Sequence, residues 1–476
     1  MINHDLSKKG VRMIENFLNG FNCAMSGVMP TFQPGYPHQR AAELDRLATE
    51  AYVYGYPLVI TDVTKRLMLA DGARLNQFRH EREFPTPQYG TIVRPNVDTL
   101  YSMAWLDLAD EPVLLHVPDT RQRYYLMELL DAWTNVFASL GTRTTGSAER
   151  IFAITGPQWN GKLPEGVLRV EAPTDTVWII GRTQTDGPQD YPLVHAIQDQ
   201  YVLMPLNCQG AADTPTQQSD GRSTQINPAD LVANMDAALF FQTMMLVMEK
   251  NPPWVTDPAI ERKLAALDLT PDPAFDFARL YPPIQAALQR AVAATPRLMR
   301  VEAWESYCKL NVNGWTMLNR NMGFYGADYL RRAIVAMTGI GANLPQDAVY
   351  APAFSSATGQ PLTGTDNYWV HFQPETLPPV HAFWSLTLYN ENGYLVQNPV
   401  QRYAIGPHLE PLTYNEDGSL DLYIGNRPPG TAILTNWLPA PAGLFNLMLR
   451  MYWPAEPILT GQWIPPAIRE INADDY

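Results

Sequence analysis

Residues 445–453, with the sequence FNLMLRMYW, contain the pattern on which the fold prediction depends. Successive side chains of a β-strand point to opposite faces of the sheet. One face of this stretch carries five apolar or aromatic side chains, namely Phe445, Leu447, Leu449, Met451 and Trp453. The opposite face carries Asn446, Met448, Arg450 and Tyr452. The first face predicts the core of a β-sandwich, and the second brings an arginine and a tyrosine to another surface, either solvent or a cavity.

Stretches of this kind recur in two separate parts of the chain. One group lies between about residues 88 and 185, with Pro, Gly and Asp between the stretches, and the other follows residue 342. Short strands at regular spacing are typical of antiparallel sandwiches or barrels. In the second group, residues 382–389 alternate in the same way, with Trp384, Leu386 and Leu388 opposite Ser385, Thr387 and Tyr389.

The segment between the two groups of strands has helical character. Residues 235–250 are apolar on nearly every side, which predicts a buried helix. Residues 40–70 also show helical spacing, and Pro57 is expected to kink or divide that helix. Residues 209–228 are polar and rich in turn formers, which predicts an exposed loop.

Composition argues against several functional classes. The chain has 34 basic and 48 acidic residues and a net charge of −14, which argues against nucleic acid or an anionic membrane as a partner. Three widely separated cysteines without a C-x-x-C pair predict neither a disulfide framework nor a zinc knuckle. No window approaches 18 apolar residues, and the weakly apolar stretch at 13–29 is interrupted by polar residues and lacks a cleavage site. We therefore expect no membrane span and a cytoplasmic location.

Two glycine motifs resemble nucleotide-binding sequences without meeting their chemical requirements. The G-x-x-x-x-G-K string at Gly156–Lys162 is followed by Leu163, where a hydroxyl should hold magnesium. Pro164 then disfavours the helix whose N-terminus should face the phosphate. The string at 339–341 lacks both a third glycine and a following βαβ unit. No G-x-S-x-G or H-E-x-x-H motif is present either, so the sequence predicts no cofactor.

Two blocks, residues 94–146 and 366–463, are unusually rich in arginine, asparagine and aromatic residues on strand-like segments. Planar guanidinium donors beside aromatic walls suit a largely apolar pocket with a few fixed polar contacts. The candidate substrate-binding residues are Arg94, Asn96, Trp105, Arg123, Tyr124, Trp384, Asn398, Arg402, Arg450 and Tyr452. The candidate acid–base residues are Asp98, Asp131, Tyr101 and Tyr389.

A structural role is the alternative for each of these residues. Pairs such as Arg94 with Asp98 or Arg123 with Asp131 would then fix loops, and the aromatic residues would fill cores.

The same motifs resemble a bacterial and fungal family in which a domain of unknown function 1254 precedes a domain of unknown function 1214. The first part carries AYVYGYPLV, VRPNVDTLYSMAWLDL and RYYLMELLDAWTNVFASLGTRTTG, within about residues 40–185. The second carries YWVHFQPETLPPVHAFWSLTLYN, YLVQNPVQRYAIG and NWLPAPAGLFNLMLRMYWP, within about residues 340–468. The resemblance implies an α+β fold, but no catalytic mechanism. The implied parts are an arm at 1–39, a β-sandwich-like domain at 40–190, a helical middle at 191–341 and a jelly-roll-like domain at 342–476.

The leading functional expectation is an enzyme acting on a small or medium-sized organic molecule between the two β domains. Hydrolysis, or lyase or isomerase chemistry without a cofactor, is compatible with the candidate side chains. A metal-dependent enzyme that uses His371 or His381 with a carboxylate is one alternative. A binding protein for a carbohydrate or a hydrophobic molecule is another. Exposed strands also predict a homo-oligomer.

Overall fold

The computed structural model describes residues 36–88, 93–207, 217–218 and 227–471, and it has an α+β fold with several antiparallel sheets. Except for residues 36–39, the predicted arm at 1–39 lies outside the described residues. Most of the loop predicted at 209–228 does too. None of the helices in the described ranges is long and apolar enough to cross a membrane.

Most of the helices pack around one hydrophobic core. The α-helices of the described residues are α1 (Tyr36–Ala70), α2 (Tyr191–Gln198), α3 (Pro228–Ala233), α4 (Ala237–Lys250), α5 (Pro258–Ala265), α6 (Pro282–Lys309), α7 (Tyr329–Gly339) and α8 (Glu456–Thr460). Short 3₁₀-helices cover Pro188–Asp190, Phe277–Arg279, Pro374–Thr376 and Thr431–Asn436. Helices α1, α4, α6 and α7 enclose one hydrophobic core.

Helix α1 continues as one helix through Pro57 and is not divided there. Proline removes one backbone hydrogen bond, but Tyr56 and Leu58 on either side are buried in the helical core and hold the helix in place. Gly55 approaches α4 so closely that a Cβ atom there would overlap the Sδ of Met244. This close approach explains a glycine inside a helix, where it is otherwise unfavourable. The helical core therefore includes the first helix as well as the middle of the chain.

Helix α4 lies within the buried helix predicted at residues 235–250. Asp236 caps it, because its carboxylate accepts a hydrogen bond from the backbone N–H of Leu239 at 2.7 Å. Leu239 and Leu246 are exposed, however, so the helix is buried on one side only. An apolar pattern on nearly every side does not reveal which side faces the core.

Ten strands build the N-terminal β domain. They are β1 (Arg79–His80), β2 (Thr99–Asp107), β3 (Val113–Val117), β4 (Tyr125–Asp131), β5 (Val136–Gly141), β6 (Arg150–Thr155), β7 (Leu168–Glu171), β8 (Thr176–Gln184), β9 (Val202–Pro205) and β10 (Gln217–Gln218). One sheet has the order β10-β1-β2-β8-β4-β5, and the other has the order β7-β6-β3-β9. The inner face of the first sheet packs on the second through Leu106, Met127 and Ile179 against Leu115 and Phe152.

The small hairpin β11 (Asn311–Val312) and β12 (Trp315–Thr316) leads into the C-terminal β domain. Its strands are β13 (Ala348–Ala353), β14 (Asn367–Phe372), β15 (Trp384–Asn390), β16 (Ala404–Ile405), β17 (Leu420–Gly425), β18 (Trp437–Pro439), β19 (Phe445–Tyr452) and β20 (Arg469–Ile471). They form two four-stranded sheets, β13-β19-β15-β16 and β18-β17-β14-β20, that enclose a shared core. The finer jelly-roll connectivity stays a prediction.

The alternation predicted for β19 and β15 is confirmed. Phe445, Leu447, Leu449 and Met451 lie in the C-terminal core, as do Trp384, Leu386 and Leu388. Trp453 departs from the pattern because the strand ends at Tyr452 and Trp453 has a positive φ of 49°. Its ring instead packs against His381. The outward faces of β15 and β19 lie toward the N-terminal domain. Some of the candidate residues in this region line a cavity, and others are buried between the two β domains.

Candidate functional site

A cavity of about 1060 Å³ lies between the outer face of the larger N-terminal sheet, the outer face of the β13–β19 sheet and helices α6 and α7. The N-terminal strands β2 and β8 contribute Thr99, Tyr101, Met103, Trp178, Ile180 and Arg182. The C-terminal strands β13 and β19 contribute Tyr350, Pro352, Met448 and Arg450. The helices contribute Glu302, Trp304, Tyr307, Ile334 and Val335, among others. The strand residues are spaced two apart, because only alternate side chains face away from each sandwich core.

Each sheet presents one tyrosine–arginine pair to this cavity. Tyr101 of β2 is the cross-strand neighbour of Arg182 on β8, and the guanidinium carbon lies 5.4 Å from the ring centroid. Tyr350 of β13 is the cross-strand neighbour of Arg450 on β19, with the guanidinium carbon 5.8 Å from the ring centroid. Cation–π contacts of this kind fix both groups. The Tyr101 hydroxyl makes no hydrogen bond with any residue that the structure describes.

Arg182 is held by a buried carboxylate on β4. Its Nη1 donates to Oε2 of Glu128 at 2.6 Å, and both side chains are almost fully buried. Burial raises the pKa of Glu128 to about 7, despite the opposing effect of Arg182. Glu128 itself does not line the cavity, so it acts on the cavity through Arg182.

Arg450 is held by neutral oxygen atoms. Its Nη1 donates to Oγ1 of Thr387 at 2.8 Å, and its Nη2 donates to the hydroxyl of Tyr389 at 2.7 Å and to the carbonyl of Arg94 at 2.9 Å. Tyr389 in turn donates to the carbonyl of Pro95 at 2.7 Å. Tyr389, a predicted acid–base residue, is therefore buried behind Arg450 and does not line the cavity.

Arg94, one of the candidate binding residues, lines the cavity and does not pair with Asp98. It has a positive φ of 53°, and its Nε donates to Asn446 at 3.3 Å while its guanidinium lies over Phe354. Burial lowers the pKa of Arg94 to about 10. Asn96 also lines the cavity, and its side-chain oxygen accepts from the backbone N–H groups of Asp98 and Thr99.

Asp98 lies in a buried network between the two β domains instead of in the cavity. Its Oδ2 accepts from Ser385 at 2.9 Å and from Tyr452 at 3.4 Å. Its Oδ1 lies 3.3 Å from Nε2 of the buried His408, outside hydrogen-bond geometry. Burial acts to raise the pKa of Asp98, but His408, Arg450 and Ser385 together hold that pKa below its usual value. A carboxylate so placed favours a structural role for Asp98 and Tyr452.

Asp131 fixes a turn and does not reach the cavity. Its carboxylate accepts from the backbone N–H groups of Trp133 at 2.9 Å and Asn135 at 2.8 Å, and from the Asn135 amide at 2.9 Å. Burial raises the pKa of Asp131. Arg123 pairs with Asp190 through both terminal nitrogens, so the pairing proposed between Arg123 and Asp131 is wrong. Arg123 lies in a separate surface depression.

The remaining predicted binding residues also lie outside the cavity. Trp105 is buried and stacks on Trp178, which does line it, with ring centroids 4.8 Å apart. Tyr124 is buried at the domain interface. Trp384 lies in the C-terminal core, and Asn398 and Arg402 stabilise a loop through hydrogen bonds to backbone groups.

The two histidines considered as metal ligands have separate surroundings. Nδ1 of His371 lies 2.6 Å from Asp421, which also accepts from Trp369. His381 packs on Trp453 after the end of β19. Within the described ranges, no group of three or more His, Cys, Asp or Glu side chains is placed to hold a metal ion.

Comparison with known proteins identifies the two β domains. A family model described as a protein of unknown function, DUF1254, matches residues 75–205, and a second such model, DUF1214, matches residues 347–456. The chain belongs to the family that carries this pair of domains. The order of the two domains agrees with the resemblance in the sequence motifs. No protein with curated function matches the chain.

Two solved structures are similar to this chain. A crystal structure from Vibrio parahaemolyticus covers 90% of this chain and 100% of its own, with 24% identity and a TM-score of 0.65. A putative uncharacterised protein from Burkholderia cenocepacia covers 99% of this chain and 97% of its own, with 15% identity and a TM-score of 0.45. The Vibrio protein shares the fold of this chain, and neither structure assigns an activity.

The cavity lies between the two family domains. Tyr101 and Arg182 fall within the DUF1254 match, and Tyr350 and Arg450 fall within the DUF1214 match. Sequence reasoning missed Arg182, Tyr350 and the Glu128 behind them. Arg182 could have been recognised from the sequence, because it is the charged residue in the mainly apolar strand VWIIGRT.

Proposed function

We propose that this DUF1254–DUF1214 protein is an enzyme that acts on a small or medium-sized organic molecule held in the cavity between its two β domains. The observation that supports this most directly is that Tyr101, whose ring centroid lies 5.4 Å from the guanidinium carbon of Arg182, lines the same largely apolar cavity as the buried Arg450. A volume of about 1060 Å³ is in the range of pockets for drug-sized molecules.

Acid–base chemistry without a cofactor suits these groups. A carbonyl oxygen that gains negative charge in a transition state would be stabilised by the guanidinium groups and by a proton or hydrogen bond from Tyr101. The carboxylates that line the same cavity are the candidate bases, namely Glu81, Glu83, Glu302 and Asp328. These four carboxylates take the place of Asp98 and Asp131, which were expected to act as acid or base but form buried hydrogen bonds outside the cavity. Hydrolysis of an ester, and lyase or isomerase reactions that pass through an enolate, develop such an oxygen charge.

Solvent deuterium exchange tests the proposal without a known substrate. A panel of ketones, keto acids and esters is incubated with the protein in D₂O, and proton exchange and hydrolysis are followed by NMR. We expect Tyr101→Phe to slow the reaction by about 100-fold or more, because the hydroxyl that exchanges a proton is lost. Tyr403→Phe, which changes a half-buried tyrosine outside the cavity, is the matched control.

Two results would contradict the catalytic proposal. Equal rates in Tyr101→Phe and the unaltered protein would remove Tyr101 from the chemistry. Compounds that bind in the cavity but never react would favour a ligand-binding protein, the alternative that the buried positions of Asp98 and Asp131 support. The cytoplasmic location and the homo-oligomer stay predictions, and light scattering on the purified protein tests the latter.

A further inference from the structure

Arg450 is a buried cation whose hydrogen bonds all end on neutral oxygen atoms. Its side chain is 4% exposed, and its partners are the hydroxyls of Thr387 and Tyr389 and the backbone carbonyls of Arg94 and Pro95. It forms no ion pair with any residue in the described part of the chain. Buried charges in proteins are ordinarily paired with an opposite charge.

The carboxylates nearest to this end of the cavity are already engaged. Glu128 forms its ion pair with Arg182, at 2.6 Å. Asp98, the carboxylate that acts most strongly on Arg450, lies behind the strand and faces His408 and Ser385. The positive charge of Arg450 at this end of the cavity therefore lacks a contacting carboxylate among the described residues.

The available polar atoms of Arg450, Arg182 and Tyr101 can all donate hydrogen bonds. Nε of Arg450 and Nη2 of Arg182 form no hydrogen bond within the described ranges, and neither atom is fully buried. The hydroxyl of Tyr101 is likewise available. Two guanidinium N–H groups and one phenol suit the oxygen atoms of a carboxylate.

The rest of the cavity wall is mainly apolar. Met103, Trp178 and Ile180 continue along the N-terminal sheet from Arg182, and Ile334 and Val335 of α7 also line the cavity. A charged group could not lie there without losing its hydration, whereas a hydrocarbon chain or ring gains from leaving water. The cavity thus combines a place for one negative charge with room for an apolar body.

We propose that the cavity takes an amphipathic monocarboxylate, with its carboxylate on Arg450, Arg182 and Tyr101 and its apolar body along Trp178 and α7. A single negative charge is specified at this end of the cavity because Glu128, when ionised, pairs with Arg182 and leaves Arg450 to be matched. This inference names the ligand class of the proposed active site. It depends on the proposed function only in so far as the bound acid is also a substrate.

Calorimetric titration with three probes tests the substrate class on the full chain at pH 8, above the pKa of about 7 to which burial raises Glu128. Octanoate is expected to bind at least about tenfold more tightly than octanamide, which has the same chain without the charge. Octanoate is also expected to bind at least about tenfold more tightly than butyrate, because four additional CH₂ groups leave water. Equal affinities in the first comparison overturn the carboxylate site, and equal affinities in the second overturn the apolar body.

Variants of Arg450 test the position of the carboxylate. Arg450→Gln is expected to abolish the preference for octanoate over octanamide, whereas Arg450→Lys, which keeps the charge, should retain a preference. The matched control is Arg402→Gln, because Arg402 also donates to backbone carbonyls but lies outside the cavity. If Arg450→Gln does not fold, as judged by circular dichroism, Tyr101→Phe replaces it and should weaken octanoate binding several-fold. The assignment is overturned if a folded Arg450→Gln still prefers octanoate over octanamide to the same degree. If Tyr101→Phe is the variant used, an unchanged affinity for octanoate overturns it.

The outcomes separate this inference from the proposed function. Selective binding of octanoate, together with no turnover of any carboxylate tested, would uphold the ligand class and contradict the enzyme. Turnover of neutral esters that depends on Tyr101, without preference for octanoate over octanamide, would uphold the enzyme and contradict the monocarboxylate.

Discussion

Replacing Glu128 with glutamine is expected to make the stability of the protein less sensitive to rising pH. Glu128 is fully buried beside Arg182, and burial raises its pKa from 4.5 to about 7. A carboxyl group whose pKa is higher in the folded than in the unfolded protein favours folding while it is protonated. That contribution is complete below the unfolded pKa and is lost as pH rises through the folded pKa.

The magnitude follows from the two pKa values. At about 1.4 kcal/mol for each tenfold change in proton affinity, a rise from 4.5 to about 7 corresponds to roughly 3 kcal/mol in the free energy of unfolding. Between about pH 5 and pH 8 the linkage relation gives about 2.5 kcal/mol of this total. Full burial of Glu128 means that solvent does not screen the effect.

The assay is urea denaturation of the unaltered protein and Glu128→Gln at several pH values from 5 to 8. The free energy of unfolding of the glutamine variant minus that of the unaltered protein should rise by about 2.5 kcal/mol across this range. The cost of leaving Arg182 without a carboxylate does not depend on pH here and cancels from the trend. Parallel stability profiles for the two proteins would refute a raised pKa at Glu128.

Two further changes test the domain interface and the C-terminal fold. Asp98→Asn should lower the free energy of unfolding by about 3 kcal/mol at pH 7, because His408 and Arg450 favour the charged carboxylate. Since the pKa of Asp98 is lowered from 3.8, this difference in unfolding free energy should shrink as pH falls below 3.8. Asp366→Asn, which changes an exposed carboxylate, is the control. A difference that does not depend on pH would contradict the reasoning. Gly364→Ala should cost about 1–3 kcal/mol, because its Cβ would overlap the carbonyl oxygen of Pro441. Gly443→Ala, where a Cβ has open space, should be nearly neutral in the same urea denaturation, and equal effects of the two changes would contradict the packing.

The sequence by itself determined the strands and their faces. In β19, alternation assigned Leu447 and Leu449 to a core and Met448 and Arg450 to a second surface, because the side-chain period of a strand is a local property of the backbone. The family motifs also determined the order of the two β domains. Alternation could not say what the second surface of β19 would meet.

Only the tertiary structure decided which candidates share a site. Asp98 and Arg94 are four positions apart, yet Arg94 lines the cavity while Asp98 faces Ser385 in the buried interface. Arg182, which lies far from both in sequence, reaches the cavity because β8 pairs with β2 and sets it opposite Tyr101. Polar composition marks residues that need a partner, but whether that partner is a neighbouring strand, a loop or a ligand depends on how the two domains and the helices pack together.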